Sequence, residues 1–227
     1  MHTTGRVGFR VVTHAPSSSA PVSQFRGYSS ALVADAMGRF GFMDGEIRSR
    51  SGVAVCGPVV TIATRPGDNL MVHYALEIAR PGDVLVVATG GNSTHAVFGE
   101  IMCHTALARG IAGIVIDGAI RDASAIAALH FPVFSRSVCI GSCDKDGPGE
   151  IGVPISCGGV AVQPGDIVVA DNDGIAVVPR GDAAHVLAAV YEVADKERAH
   201  LAALRAGELS VPAVAARLRQ CGILGEA

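Results

Sequence analysis

Two short apolar runs in the middle of the chain constrain its fold more than any other feature. Residues 84–87 and 114–116 consist of Val, Leu and Ile, and turn residues flank each run. Such runs are typical of strands that are buried on both faces of a sheet. The segment between them has the length of a helix, which we place at residues 96–109 with Gly110 as its stop. Strand, helix and strand in this order predict a parallel βαβ unit and therefore an α/β fold.

The second half of the chain has a different pattern, in which short apolar segments alternate with turn residues. Gly, Pro, Asn and Asp separate these segments at hairpin spacing, and the run from Asp171 to Gly174 is a strong turn signal. The predicted strands are residues 153–155, 160–162, 167–170 and 175–178. A long helix capped by Asp182 and a last helix opened by Ser210 and Pro212 complete the chain.

The chain is predicted to form one compact domain. Two further helices are expected at residues 30–38 and 70–79, and no linker rich in Pro or Ser divides the elements. We therefore expect a single domain over residues 25–227 that includes the C-terminal helices. A flexible N-terminal arm is expected over residues 1–24, which are polar and hold the run Pro-Ser-Ser-Ser.

Composition excludes several classes of protein. A hydrophobic content of 49% rules out disorder over most of the chain, and a net charge of −3 without a Lys/Arg block argues against nucleic-acid binding. No apolar run reaches the roughly 18 residues of a membrane helix. The six cysteines lack the spacing of a disulfide scaffold, so we expect reduced thiols and a cytoplasmic location. Because charged residues make up only 17%, apolar faces remain for other subunits to cover.

A candidate site lies where the predicted parallel strands end. Ligands of such sheets bind beyond the carboxyl ends of strands, and the predicted loops at residues 89–92 and 117–122 both leave such ends. The helix that follows would offer free amides to an anion. Arg121 adds a planar two-pronged donor for a carboxylate, and Asp122 adds hard oxygen ligands for Mg²⁺ or Mn²⁺. These groups suit a 2-oxo acid, while a solvated ion pair is the competing interpretation.

Four segments carry a resemblance to a known family. They are Pro-Gly-Asp-Val-Leu-Val-Val at 81–87, Gly-Glu-Ile-Met at 99–102, Asp-Gly-Ala-Ile-Arg-Asp at 117–122 and Lys-Asp-Gly-Pro-Gly-Glu at 145–150. With these segments the chain resembles the RraA-like family from about residue 29 to about residue 197. The likeness is greatest to its class II aldolases for 4-hydroxy-4-methyl-2-oxoglutarate and 4-carboxy-4-hydroxy-2-oxoadipate, which also decarboxylate oxaloacetate.

The resemblance implies a swivelling β/β/α sandwich, a homotrimer or dimer of trimers, and a small 2-oxo acid as substrate. It implies that Arg121 binds the C1 carboxylate of the substrate and that Asp122 binds Mg²⁺ or Mn²⁺ directly. Glu100, where many of these aldolases have Asp, is implied to act on the metal through water. Glu197 is implied to reach the metal waters of a neighbouring subunit. Further implied substrate contacts are Gly99, Ile101, Met102, Asn69, His73 and Lys145.

The lysines favour a metal over a Schiff base as the electron sink. Only two of the 18 basic side chains are lysines, and each lies between two acidic residues. A Schiff-base lysine needs a lowered pKa, whereas acidic neighbours favour its charged form. Lys145 and Lys196 therefore do not fit that role, and a divalent cation is expected.

Other functions are compatible with parts of the sequence. The resemblance also includes a regulator that inhibits an RNA-degrading endonuclease by binding it, without catalysis. That regulator lacks the acidic residue after the Arg, so Asp122 favours the enzyme. Methyl transfer, another activity ascribed to relatives, is disfavoured because the chain has no Gly-rich nucleotide fingerprint with a downstream acid. A purely structural oligomer subunit is the remaining alternative.

Overall fold

A computed structural model describes residues 8–13, 22–208 and 212–224. The helices are α1 (Val22–Phe25), α2 (Ser30–Ala36), α3 (Leu70–Ile78), α4 (Glu100–Ala108), α5 (Ala123–Ala128), α6 (Ala183–Arg205) and α7 (Pro212–Gln220). The strands are β1 (Phe9–Val11), β2 (Arg48–Ser49), β3 (Val55–Thr64), β4 (Val84–Phe98), β5 (Gly113–Ile120), β6 (Val133–Val138), β7 (Gly149–Ile151), β8 (Ile155–Cys157), β9 (Val160–Val162), β10 (Ile167–Ala170) and β11 (Ile175–Val178). The chain divides into two compact units, Met1–Val190 and Tyr191–Ala227.

The first unit is built on a sheet in the order β1-β7-β3-β4-β5-β6-β2. Strands β3, β4, β5 and β6 pair in parallel, and α3, α4 and α5 connect each of them to the next. This arrangement confirms the predicted βαβ units. Helices α3, α4 and α5 bury apolar side chains together with one face of the sheet, including Ile114, Ile116 and Ile120 of β5.

A second β layer covers the other face of this sheet. The hairpin β8–β9 and the hairpin β10–β11 contribute side chains to the apolar core on that face, and β10 also pairs antiparallel with β3. Helices α1 and α2 and the first turns of α6 pack on the outer side of β10 and β11. The mixed α/β fold predicted from the sequence, with its C-terminal helices, is therefore confirmed.

Strand β4 is longer than the sequence predicts, and helix α4 correspondingly begins later. Ala96 and Phe98 belong to β4, and they pair with Ala119 and Ile120 of β5 after shifts in register. The predicted loop at 89–92 and the predicted start of the helix at 96 are therefore wrong. The apolar triplet 96–98 fits the start of a helix by sequence, but it is buried as the end of a strand. As a result α4 starts directly at the edge of the sheet.

Part of the predicted N-terminal arm is ordered in the structure. Strand β1 pairs in parallel with β7, and Phe9 lies opposite Gly149. This pairing contradicts a flexible arm at these three residues, while residues 1–7 and 14–21 lie outside the described residues. The strand predicted at 153–155 is also displaced, because the strands of this segment are β7 at Gly149–Ile151 and β8 at Ile155–Cys157. The limits of the domain at residue 25 stay a prediction.

The second unit holds the part of α6 that begins at Tyr191, together with α7. Most of its described residues are exposed, among them Glu197. The predicted helix start at Ser210 lies outside the described residues. Among the helices that are described, none is both long enough and apolar enough to cross a membrane.

Candidate active site

The site begins at two neighbouring strand ends that lie in register. Phe98, the last residue of β4, pairs with Ile120, the last residue of β5. Gly99 and Arg121 follow these residues directly, so the chain register brings them to the same point of the sheet edge. The 20 residues between Glu100 and Arg121 are α4, its connection and β5. The 20-residue spacing is therefore the length of chain that leaves this edge of the sheet through α4 and returns to it along β5.

Gly99 allows a close approach between the two strand ends. A Cβ atom at this position would lie 2.7 Å from Oδ2 of Asp122 and 3.0 Å from Cγ of Arg121. The same Asp122 oxygen accepts a hydrogen bond of 3.1 Å from the backbone N–H of Glu100 and lies 3.5 Å from Nε of Arg121. A side chain at position 99 would therefore force Asp122 and Arg121 to shift.

The first turn of α4 supplies donors at this edge. The first amides of a helix have no acceptor within the helix, and they carry the positive end of its dipole. One of them, at Glu100, is already used by Asp122. The amides of Ile101 and Met102 are the next in this turn. Together with the Arg121 guanidinium, they form a donor set that suits a carboxylate.

Asp122 has an unusual backbone conformation. Its φ of 56° and ψ of 36° lie in the left-handed region, which few residues other than glycine adopt. It occupies the N-cap position of α5, but its side chain makes no capping hydrogen bond there. The carboxylate instead faces the start of α4 through the bond to Glu100. Gly99, Ile101, Met102 and Arg121 are called the strand-end wall below, and Asp122 lies next to this wall.

A second group of side chains comes from the start of α3. Asn69 is buried, and its Nδ2 donates to the carbonyl oxygen of Val97 at 3.3 Å. Its Oδ1 is also buried and has no hydrogen-bond partner among the described residues. Asn69 does not cap the helix with its side chain, because Oδ1 of Asp68 accepts the Leu70 amide instead. The side chain of Asn69 therefore has no capping role in α3.

His73 lies one helical turn after Asn69, and its surroundings disfavour the protonated form of its ring. Burial lowers the pKa of His73 below its ordinary value of 6.5, the charge of Lys145 lowers it further, and the charge of Glu77 opposes these effects. A neutral imidazole can accept a hydrogen bond on one ring nitrogen and donate one from the other.

The loop before β7 completes this second group. Cys143 donates from Sγ to the carbonyl oxygen of Ala96 at 3.3 Å, and burial raises the pKa of its thiol to about 11. The thiol is therefore protonated near neutral pH and is a poor nucleophile. Lys145 follows two residues later and is exposed. Asn69, His73, Cys143 and Lys145 are called the α3 wall.

The two walls enclose a cleft of about 180 Å³. Its lining consists of Asn69, His73, Ala96, Phe98, Gly99, Ile101, Met102, Arg121, Ser142, Cys143 and Lys145. The structure thus brings all seven predicted substrate-binding residues together. Glu100 and Asp122 lie at its rim without lining it, and Oε1 of Glu100 is 4.0 Å from Nε2 of His104. Glu197 belongs to the second unit, and its predicted role stays a prediction.

Four lining residues were not predicted from the sequence. Ala96 and Phe98 were assigned to a helix, although they belong to β4. Ser142 and Cys143 lie in a loop that returns to the cleft, and no motif marks them. The only available signal was their position a few residues before Lys145.

The donor atoms at the rim fit a hard divalent cation rather than zinc. Within the described residues no three His, Cys, Asp or Glu side chains are grouped to hold a metal ion. Asp122 offers one carboxylate, and its Oδ1 makes no hydrogen bond to the residues that the structure describes. Mg²⁺ is often bound by one or two carboxylates, with water and substrate oxygens as its other ligands. Asp122 suits that mode of binding.

Comparisons with known proteins find a matching family model and several relatives. A family model named RraA-like and described as Aldolase/RraA matches residues 30–177. A protein of Halalkalibacterium halodurans, provisionally named 4-hydroxy-4-methyl-2-oxoglutarate aldolase, is 42% identical over 167 residues, which cover 73% of this chain and 80% of the relative. A relative from Ectopseudomonas mendocina with the same provisional name is 38% identical over 124 residues, which cover 55% of this chain and 76% of the relative.

Solved structures share the fold. An uncharacterized protein from Pseudomonas syringae superposes with a TM-score of 0.76 at 30% identity, covering 86% of this chain and 96% of its own. The RNA-processing inhibitor RraA from Thermus superposes with a TM-score of 0.63 at 29% identity, covering 67% and 93%. The sandwich fold expected from the sequence resemblance is thereby confirmed.

Proposed function

Since the chain belongs to the RraA-like family, we propose that it is a divalent-metal-dependent class II aldolase. Its proposed substrates are 4-hydroxy-4-methyl-2-oxoglutarate or 4-carboxy-4-hydroxy-2-oxoadipate, cleaved to pyruvate and a second 2-oxo acid. It is also proposed to decarboxylate oxaloacetate. The observation that supports this proposal most is the cleft, in which Arg121 and the first amides of α4 meet Asn69, His73 and Lys145.

The strand-end wall is proposed to bind the reacting end of the substrate. Arg121 would bind the C1 carboxylate with two parallel hydrogen bonds, and the amides of Ile101 and Met102 would add to its binding. Asp122 would hold Mg²⁺ or Mn²⁺. When bound, such an ion stabilises the negative charge that develops on the C2 carbonyl oxygen and lowers the barrier by several kcal/mol. Gly99 keeps these groups close together.

The α3 wall is proposed to bind the far end of the substrate. The Lys145 ammonium suits the acidic group at C4, and the neutral ring of His73 can accept a hydrogen bond from the C4 hydroxyl. Asn69 offers a buried amide whose Oδ1 lacks a partner among the described residues, and a substrate donor would satisfy it. A substrate with acidic groups at both ends therefore suits the cleft better than a monocarboxylate.

Proton movement is assigned to the rim of the cleft. Glu100 is proposed to orient the water that takes the proton of the C4 hydroxyl, after which the C3–C4 bond breaks. The enolate of pyruvate that forms is then protonated at C3. With oxaloacetate the C3–C4 bond also breaks, CO₂ leaves, and the same enolate results. In a homotrimer or dimer of trimers, Glu197 is proposed to serve the site of a neighbouring subunit.

Metal removal tests this function directly. We expect the purified protein to form pyruvate from oxaloacetate, to lose this activity with EDTA and to regain it with Mg²⁺ or Mn²⁺. Asp122→Asn should abolish the metal-dependent turnover without unfolding the protein. Asp35→Asn, which removes one carboxylate of an exposed ion pair, is the control and should keep wild-type rates. Turnover indifferent to EDTA, or unchanged in Asp122→Asn, would refute the proposal.

Protein-binding regulation of a ribonuclease is the competing function, because one structural neighbour is an RNA-processing inhibitor. A regulator of this kind needs neither a metal carboxylate nor a cleft for a small acid. Titration of the protein into a ribonuclease assay, beside the pyruvate assay, separates the two functions. Inhibition of the ribonuclease without any pyruvate formation would favour the regulator.

A further inference from the structure

We infer that Asp68 is a positioning residue that holds the two segments of the α3 wall together and thereby sets the place of Lys145. The effect of Asp68 on substrate binding rests on the proposed function. Its effect on the loop is independent of that function, because it follows from hydrogen bonds alone. The inference concerns a residue that lies behind the cleft and does not line it.

The carboxylate of Asp68 is fully buried and uses both of its oxygens. Oδ1 accepts the Leu70 amide at 2.9 Å, at the start of the helix that carries Asn69 and His73. Oδ2 accepts the amides of Asp146 and Gly147, each at 2.8 Å. These two residues follow Lys145 directly, and they lie 78 and 79 positions after Asp68 in the chain. One side chain thus ties the helix start to the loop.

Neighbouring groups make this arrangement tolerable for a buried charge. Nη2 of Arg65 lies 3.4 Å from Oδ2 of Asp68 and 3.5 Å from Oδ2 of Asp144. The backbone adds two further bonds, from Asn69 N–H to Asp144 O at 3.0 Å and from Asp144 N–H to Gly67 O at 2.8 Å. A buried carboxylate is costly unless it is paired and hydrogen-bonded, and this one has both kinds of partner.

Two other turns with the same sequence show that this use of the carboxylate is specific. Pro-Gly-Asp occurs at 66–68, 81–83 and 164–166. In the second copy Asp83 accepts the amide of Arg80 at 2.7 Å. In the third copy Asp166 accepts the amide of Gln163 at 2.8 Å and that of Arg180, 14 residues further on, at 3.0 Å. Of the three carboxylates, only that of Asp68 binds a loop as far as 78 residues away. The tripeptide forms a turn in all three places, but only at Asp68 does it organise the cleft.

A specific kinetic effect follows from this geometry. Among the described residues, Asp68 is the acceptor for both amides that follow Lys145, while Asp144 and the bond from Arg65 to the carbonyl oxygen of Gly147 hold other parts of the loop. Losing the carboxylate therefore frees the backbone directly after Lys145 and lets its ammonium group move. A displacement of about 1 Å at a substrate-positioning group can cost up to about 100-fold in rate. The loss of affinity should be confined to ligands with two acidic groups. Arg121 on the strand-end wall is proposed to bind one of these groups, and Lys145 the other.

The test compares Asp68→Ala and Asp68→Asn with Asp166→Ala and Asp166→Asn in the full chain. Asp166 is a matched control, since it is 4% exposed and accepts amides from Gln163 and Arg180, and it does not line the cleft. In Asp68→Ala we expect faster hydrogen exchange at the amides of Asp146 and Gly147. The KM for oxaloacetate should rise about tenfold, with little change in kcat and in the affinity for pyruvate. Asp68→Asn, which retains one acceptor oxygen, should show a smaller change of the same kind.

A double substitution separates positioning from general loosening of the fold. In a Lys145→Met protein, Asp68→Asn should no longer change KM, because the group it positions is absent. The Asp166 variants should leave the exchange at 146 and 147 and the KM unchanged. Should Asp68→Ala fail to fold, Asp68→Asn carries the same comparison.

Two results would overturn the inference. Unchanged exchange at Asp146 and Gly147 in the Asp68 variants would show that the carboxylate does not hold the loop. Faster exchange with an unchanged KM would show that the loop does not position Lys145 for the substrate. If the wild-type protein turns over no oxaloacetate, the proposed function fails, and the exchange measurement still decides whether Asp68 holds the loop.

Discussion

The two walls of the cleft are built by different means. The strand-end wall depends on backbone pairing, because Phe98 and Ile120 are in register and the next residues on both strands meet. The α3 wall depends on one buried side chain, because Asp68 joins the start of α3 to a loop 78 residues away. A wall made by strand register is rigid and local to the sheet, whereas a wall made by a carboxylate clamp can be loosened by one substitution. Damage to the two walls should therefore differ in size and kind.

Loss of Arg121 should have the largest effect and should break the strand-end wall as a binding surface. Arg121→Ala removes the two-pronged donor proposed for the C1 carboxylate, so kcat/KM for oxaloacetate should fall by a factor on the order of 10² to 10³. Arg121→Lys should restore only part of it, since an ammonium group cannot bind a carboxylate with two parallel bonds. Arg48→Ala is the control, because Arg48 is exposed and its guanidinium donates only to Gly45 O among the described residues. A wild-type rate in Arg121→Ala would place the substrate carboxylate elsewhere.

A smaller effect is expected when the strand ends are pushed apart. In Gly99→Ala the new methyl group would meet Oδ2 of Asp122 at 2.7 Å and Cγ of Arg121 at 3.0 Å, so both side chains must shift. We expect a fall in kcat/KM of about tenfold. Gly45→Ala, where an added Cβ meets nothing within 4 Å, should keep wild-type kinetics. Equal kinetics in the two variants would contradict the close-packed arrangement of the strand-end wall.

The smallest effect concerns the charges around the α3 wall. Lys145→Gln should raise the pKa of His73, because it removes a positive charge that disfavours protonation, and Glu77→Gln should lower it. The measurement is an NMR titration of the His73 ring. Since the wild-type pKa lies below 6.5, the neutral ring is present above pH 6.5 and is lost as the pH falls through that lower pKa. Shifts of the same sign in both variants would show that Lys145 and Glu77 do not both act on this ring.

The same contrast explains what the sequence could predict. The apolar runs at 84–87 and 114–116 identify buried parallel strands by composition alone, and the position of Arg121 and Asp122 after a strand follows from them. The hairpin strands at 167–170 and 175–178 were predicted with their observed bounds, because turn residues delimit them. These are local signals, which a single sequence contains.

Features that depend on distant contacts could not be predicted in this way. The apolar segment 96–98 continues a strand because β5 lies beside it, although its local pattern also suits a helix. Strand β1 was assigned to a flexible arm because its partner β7 lies 140 residues further on. The Asp68 clamp resembles an ordinary turn in the sequence, and only the contact with Asp146 and Gly147 distinguishes it. In each case the deciding partner is remote in the chain.

The left-handed backbone at Asp122 limits which residues can occupy that position. Asn, Asp and His enter this region several times more often than other non-glycine residues, so aspartate is the carboxylate that the local conformation accepts best. Glutamate would retain the charge but would meet a less suitable backbone and extend its oxygens further. Asparagine would retain the conformation and lose the charge, and glycine would keep only the conformation. No substitution at position 122 therefore keeps both the carboxylate and a backbone conformation that suits it. The local fold and the proposed metal binding constrain the same residue.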